Sequence, residues 1–187
     1  MSRLQRIRPT FALPCFVGLA FAFASHSLAD ESWRGFRDSG SNTVHADLPT
    51  EWSPEKGVAW HSKIPGYGQS SPVVWQGQVY LTSSDGPFQE HCQVHAYSLK
   101  DGTKLWTSNV AVTTKVENYF RNSRAAPTCC VDQQAVYSFF ASGDVTAMKH
   151  TGESIWSTPL LKLYGEVVNE RGIASSPAQN DDLLFVL

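Results

Sequence analysis

Charge is scarce in this sequence. Only 17% of its 187 residues are Asp, Glu, Lys or Arg, 15 basic side chains stand against 17 acidic ones, and the formal net charge is −2. There is no run of like charge and no lysine-rich stripe. The electrostatic footprint of a nucleic-acid binder is therefore missing, and that class of partner is excluded. Several reactive motifs are missing too: no Cys-x-x-Cys-His haem site, no Walker loop, no serine nucleophile elbow and no His-Glu-x-x-His. What the chain does have is 10 Phe, 6 Trp, 6 Tyr, 13 Gly and 10 Pro. That mixture suits strands joined by turns better than a helical bundle.

The first segment reads as an export signal. Arg3, Arg6 and Arg8 precede an almost unbroken apolar run from Phe11 to Ala24, which is too short to span a bilayer comfortably. Ser27-Leu28-Ala29 places small residues where a signal peptidase reads, so cleavage is expected after Ala29. Removing 29 of 187 residues leaves 158; the loss of three arginines takes the basic count from 15 to 12 against 17 acids, a net charge of −5. The expected destination is the periplasm or the extracellular space, with no membrane span after cleavage. Three cysteines remain, Cys92, Cys129 and Cys130. An odd count leaves at least one unpaired within the chain.

Self-similarity follows. Ser71-Pro72-Val73-Val74 returns as Ala126-Pro127-Thr128-Cys129 and as Ser176-Pro177-Ala178, and the apolar pair Val79-Tyr80 returns as Val136-Tyr137 and Leu184-Phe185. A longer landmark, Val94 to Trp106, recurs as Val145 to Trp156, with Gly102 and Gly152, and Trp106 and Trp156, each 50 residues apart. Each unit reads as four short strands: a proline-led one, an alternating one such as Val79 to Ser83, a third near Val94 to Tyr97 and a last one ending at tryptophan. Asp101-Gly102 and Thr151-Gly152 are the turns between the third and fourth. A repeated four-stranded unit of this length is a propeller blade. The expected fold is an all-β propeller, incomplete, with about two and a half blades. Residues 1–29 are the signal, 30–56 an N-terminal strap and 57–187 the partial propeller, with blade 1 at about 70–109, blade 2 at about 125–159 and a third blade starting at 175–187.

These residues carry a resemblance. Ala96, Gly102 and Trp106, and again Ala147, Gly152 and Trp156, resemble the tryptophan-docking motif Ala-x-Asp-x-x-x-Gly-x-x-x-Trp of the PQQ-like propeller repeat, the second copy being one residue shorter. Both copies depart at the aspartate position, where Ser98 and Lys149 stand. The opening Trp33-Arg34-Gly35-Phe36-Arg37, with Trp52, Trp60 and Pro65 to Pro72, is similar to the first segment of secreted bacterial members. The resemblance implies that the tryptophans wedge against the neighbouring blade. It also implies two functional groups: quinoprotein alcohol dehydrogenases, which bind PQQ with calcium, and non-catalytic scaffolds, among them the propeller lipoprotein of outer-membrane barrel assembly.

Three constellations are candidate sites. Cys129-Cys130 resembles the vicinal disulfide that quinoprotein alcohol dehydrogenases place beside the cofactor; alternatively the two pack as small buried hydrophobes, or one pairs with Cys92. His91 and His95 share a strand face but lie about 13 Å apart at ~3.3 Å per residue, too far to hold one metal ion, so a solvated strand edge is expected. The loops leading into each first strand carry Arg121, Asn122 and Arg124, then Glu170 and Arg171. They suit a forked grip on an anionic ligand or a carboxylate-bearing peptide, or equally ion pairs between blades. Trp33, Phe36, Trp52 and Trp60 are expected to pack the strap onto the propeller rim. The expected function is a non-catalytic binding or scaffold module, part of a larger propeller, with no cofactor and with an unknown protein or cell-envelope polymer as partner. The alternatives are a PQQ- and calcium-dependent dehydrogenase or an inactive truncated product.

Overall fold

Between Pro72 and Val110, runs of β-branched and aromatic residues alternate with short turns, a pattern that folds back on itself. The computed structural model describes residues 32–38, 50–117, 121–167, 172–180 and 182–187. Four strands form one antiparallel sheet in the order β1 (Val73–Trp75), β2 (Gln78–Asp85), β3 (His91–Ser98) and β4 (Lys104–Val110). A second sheet repeats the plan with β5 (Cys130–Val131), β6 (Val136–Phe139), β7 (Asp144–Met148) and β8 (Ser154–Pro159). After the short helix α1 (Leu160–Tyr164), a hairpin of β9 (Ala178–Asn180) and β10 (Leu183–Phe185) begins a third. The fold is an open, incomplete all-β propeller. The signal segment lies outside the described residues.

Burial orients the blades. β1 and β5 are buried, whereas β4 and β8 are largely exposed, so the first strands lie innermost and the fourth outermost. One core cluster runs across both sheets, with Val73, Tyr80, Val94 and Ala96 from the first and Val131, Val136 and Met148 from the second. Both sheets carry a β-bulge at the motif alanine, between Ala96 and Tyr97 and between Ala147 and Met148.

Three expectations change in detail. The fourth strands do not end at tryptophan: β4 continues to Val110 and β8 to Pro159. The proline landmarks are also out of step. Strand pairing sets Val73 opposite Tyr80, Cys130 opposite Tyr137 and Ala178 opposite Phe185. Position for position, Pro72 and Pro177 therefore match Cys129, and Pro127 lies two residues early. Apolar pairing fixes the register, and the β4–β5 connection absorbs the extra residues. Finally, the segment around Trp33 does not pack on the rim. Trp33 exchanges backbone hydrogen bonds with Val74 of β1, at 2.8 Å each, and Val131 N donates to Arg34 O at 2.9 Å, so the segment adds to the innermost edges. Trp52 remains 75% exposed.

The corrected register reveals a hydroxyl ladder. Ser71, Thr128 and Ser176 now occupy the same position in successive units. Ser71 N donates to Thr128 Oγ1 at 2.9 Å, and Thr128 N donates to Ser176 Oγ at 3.0 Å. Each unit thereby caps an amide of the one before it, beside the inner strands.

Candidate functional site

The motif residues build the contact between blades. Ala96 faces Trp106 across β3 and β4, as Ala147 faces Trp156 across β7 and β8. Trp106 reaches out of its own sheet: Nε1 donates to His150 O at 2.8 Å, and two residues on, Ser108 Oγ donates to Gly152 O at 2.6 Å. Gly152 has φ +87°, and a Cβ there would stand 2.8 Å from Trp106 Cδ2, so both backbone hand and space demand glycine. The same device appears one step earlier. Trp60 Nε1 donates to Leu99 O at 2.8 Å, Ser62 Oγ donates to Gly102 O at 2.5 Å, and Gly102 lies against the Trp60 ring at φ +69°. Sequence reading grouped Trp60 with the aromatics expected to pack the strap onto the rim. The repeated spacing Trp60-x-Ser62, Trp106-x-Ser108, Trp156-x-Thr158 is the signal that identifies it. The motif's one-residue deletion falls in the turn, closed by Ser98 and Thr103 in the first blade and by Lys149 and Glu153 in the second.

A polar line crosses the same seam. Tyr80 hydroxyl meets His150 Nδ1 at 2.9 Å, and His150 Nε2 meets Asp132 O at 3.0 Å. A carbonyl only accepts, so Nε2 carries a proton, and in the neutral ring Nδ1 accepts from the Tyr80 hydroxyl. Asp132 Oδ1 caps the amides of Gln134 and Ala135, at 2.7 and 2.8 Å, and Oδ2 accepts from Tyr137 at 3.2 Å and from Gln179 Nε2 of β9 at 2.5 Å. Three units are joined at one residue: the first blade reaches the Asp132 backbone carbonyl by way of His150, and the third unit reaches its carboxylate. Next to it opens a groove of about 780 Å³ lined by Arg34, Asp38, Trp75, Asp132, Gln134 and Gln179, with the Arg34 guanidinium 4.6 Å from the Trp75 ring centroid. Sequence reading missed these residues, because nothing in a short turn marks which side chains will converge.

At the opposite end lie the loops that carry the arginines. Arg121 is exposed and Asn122 half-buried, but Arg124 is buried at 6% exposure. Its Nη2 donates to Val116 O at 2.6 Å and its backbone N to Gln89 Oε1 at 3.0 Å. Arg121 and Arg124 therefore have different surroundings, and Arg124 braces its own loop. Around them, Gln69 takes Ser123 N at 2.7 Å and gives to Arg121 O at 3.2 Å. Phe88, 69% exposed, carries Lys115 Nζ 5.7 Å from its ring centroid. The exposed rim thus combines Arg121, Lys115, Phe88 and Tyr67. Glu170 and Arg171 lie outside the described residues.

The remaining reactive groups are sealed into the fold. His95, expected at a solvated edge, is fully buried between Ser83 Oγ at 2.8 Å and Thr107 Oγ1 at 2.9 Å. Burial pulls its imidazole down to about 4, reinforced by Lys104. β3 is covered at that position by the hydroxyls of its two partner strands. His91 is exposed and pairs with Asp85 at 3.0 Å. Cys92, Cys129 and Cys130 are buried free thiols, and desolvation pushes Cys92 and Cys130 up to about 12 and Cys129 higher still. Buried Asp144 accepts from Thr113 N at 2.9 Å, Thr113 Oγ1 at 2.6 Å and Ser142 Oγ at 2.7 Å. Among the described residues no three His, Cys, Asp or Glu side chains come together to hold a metal ion.

Comparison with known proteins gives a family. The family described as outer membrane protein assembly factor BamB matches residues 40–187. No curated protein matches the chain. Among solved structures, the quinohemoprotein alcohol dehydrogenase of Comamonas testosteroni is 18% identical with a TM-score of 0.40, over 60% of this chain and 16% of that one. The quinohemoprotein alcohol dehydrogenase ADHIIG of Pseudomonas putida HK5 is 20% identical with a TM-score of 0.44, over 68% and 18%. BamB of Moraxella catarrhalis is 14% identical with a TM-score of 0.34, over 67% and 45%. This chain spans less than half the length of each of these three.

Proposed function

The chain belongs to the outer membrane protein assembly factor BamB family of PQQ-like repeats, and from that premise we propose that it is an exported, non-catalytic scaffold, part of a larger propeller, that binds a protein partner at the cell envelope. One observation carries this reading: among the described residues, the polar side chains gathered at the seam between blades are spent on joining units, and the other reactive groups are buried within a blade. The line Tyr80–His150–Asp132–Gln179 ties three units together, His95 is locked between two hydroxyls, and buried thiols held at about 12 or above are poor nucleophiles. The exposed rim of Arg121, Lys115, Phe88 and Tyr67 supports the partner role. Arg121, Phe88 and Tyr67 there are of the residue types enriched at protein interfaces.

The exported chain, given PQQ, calcium and a panel of alcohols, is expected to show neither saturable quenching of tryptophan fluorescence nor reduction of an artificial electron acceptor. Saturable binding with dye reduction would overturn the scaffold reading in favour of a dehydrogenase. Export itself is checked by sequencing the amino terminus of the secreted or periplasmic product, which should begin at Asp30.

A further inference from the structure

Segments far apart in sequence frame the groove beside Asp132. Its walls are residues 32–38, Trp75 of β1, the turn between β5 and β6 and the start of β9. In both complete sheets the later strands add outward of the second, so any strand following β10 lies on the side away from these walls. The volume of about 780 Å³ is that of a small-molecule site.

Two features of the walls exceed what folding requires. Trp75 is 8% exposed, and its Nε1 is one of two buried side-chain atoms among the described residues without a hydrogen-bond partner. A buried donor left unmet is costly, and such atoms mark places where a ligand or a water completes the bonding. Next, Arg37 and Asp38 are consecutive non-glycine residues at φ +61° and +39°. Side-chain-bearing residues held in that hand cluster at binding and active sites. Here the turn is closed by Asp38 N donating to Gly35 O at 3.1 Å, and it sets the Asp38 carboxylate in the groove wall. Asp38 Oδ1 takes Arg34 N at 3.1 Å, and Oδ2 has no partner among the described residues.

The chemistry of the walls narrows the ligand. One cation, Arg34, stands against two carboxylates, Asp38 and Asp132, so an anion is disfavoured, and Arg34 disfavours a cation. The side-chain amides of Gln133, Gln134 and Asn180 carry no hydrogen bond among the described residues. Each offers a donor and an acceptor together, which matches hydroxyl groups that both give and take. Phe36 is 55% exposed and adds an open ring, whose negative face attracts the C–H side of a pyranose.

We infer that this groove binds a neutral oligosaccharide. Phe36 carries the apolar face of one sugar ring, Asp38 Oδ2 accepts from its hydroxyls, and the amides of Gln134 and Asn180 bond those of the next ring. An oxygen at the Trp75 wall, from the sugar or from a water it holds in place, meets Nε1. The site goes beyond the scaffold reading, which requires no sugar.

The test uses the exported chain with ¹⁵N-labelled tryptophan and two neutral probes, maltotriose and N-acetylated chitotriose, beside trigalacturonate as an anion of the same length. At least one neutral probe should move the Trp75 indole resonance saturably while those of Trp60 and Trp106 stay in place. Which of the two does so separates a plain hydroxyl glycan from an N-acetylated one. Trigalacturonate should bind at least about tenfold more weakly, because it faces two carboxylates. Phe36→Ala removes an exposed ring and should weaken binding about tenfold. Asp38→Asn, which that backbone hand tolerates, should weaken it by about the same factor. The site is overturned if neither neutral probe moves the Trp75 signal at millimolar concentration, if trigalacturonate binds as tightly as they do, or if Phe36→Ala leaves the affinity unchanged. Such a failure leaves the scaffold reading standing, whereas quinone-dependent dye reduction would remove the scaffold reading whatever the sugars do.

Discussion

Trp106 and Trp156 occupy equivalent strand positions, face the equivalent alanines Ala96 and Ala147 and lean on the equivalent tyrosines Tyr80 and Tyr137, yet one sits against a glycine turn and the other is exposed. Equivalent strand positions thus take two different energetic roles, and the difference lies in what the next unit brings. Where the turn is present, an indole is desolvated and two carbonyls are satisfied at once. In the second blade the tryptophan's contribution stays within its own sheet.

The comparison is broken most sharply by removing each ring in turn. Trp106→Ala should cost about 3–5 kcal/mol in urea unfolding, the range for an aromatic lost from a packed contact, while Trp156→Ala should cost about 1 kcal/mol or less. Equal costs would mean that docking adds nothing to the sheet itself. The next contrast concerns acid. Unfolded, the His95 imidazole titrates near 6.5, but folded near 4. The unfolded chain holds the extra proton between those values, so stability falls as pH drops through that window, by up to about 3 kcal/mol. His95→Thr, which installs the residue found at the same position of the second blade, Thr146, should flatten that part of the pH profile.

A third contrast pairs Asp144 with its counterpart Gln93. Asp144→Ala strands the Thr113 amide and two hydroxyls and should cost about 2–3 kcal/mol. Gln93→Ala should cost about 0.5 kcal/mol, because its partner Asn109 is exposed to water. The smallest contrast is between hydroxyls: Ser108→Ala should lose about 1 kcal/mol with its bond to Gly152 O, and Thr158→Ala about none.

The architecture was legible in the sequence because glycine and tryptophan report on backbone constraints that recur with every blade. A positive φ under an indole admits one residue type, so the 50-residue step shows. The inner strands were harder to align. Proline marks where a strand can start, not where it pairs, and pairing of Cys130 with Tyr137 moved Pro127 two places off. His95 read as exposed because strand alternation predicts a face and says nothing of what covers it. The convergence of Arg34, Asp132 and Gln179 depends on contacts between segments about 50 and 100 residues apart, and no local pattern encodes that.

Hydrogen exchange of the six indole N–H groups bears most directly on the claim that a tryptophan and a hydroxyl two residues on hold one blade to the next. Followed by ¹⁵N spectra at neutral pH, the Trp60 and Trp106 signals should exchange slowly, with protection that tracks unfolding, while Trp156 should exchange at close to the rate of a free indole. Equal protection of Trp106 and Trp156, or rapid exchange of all three, would contradict the account.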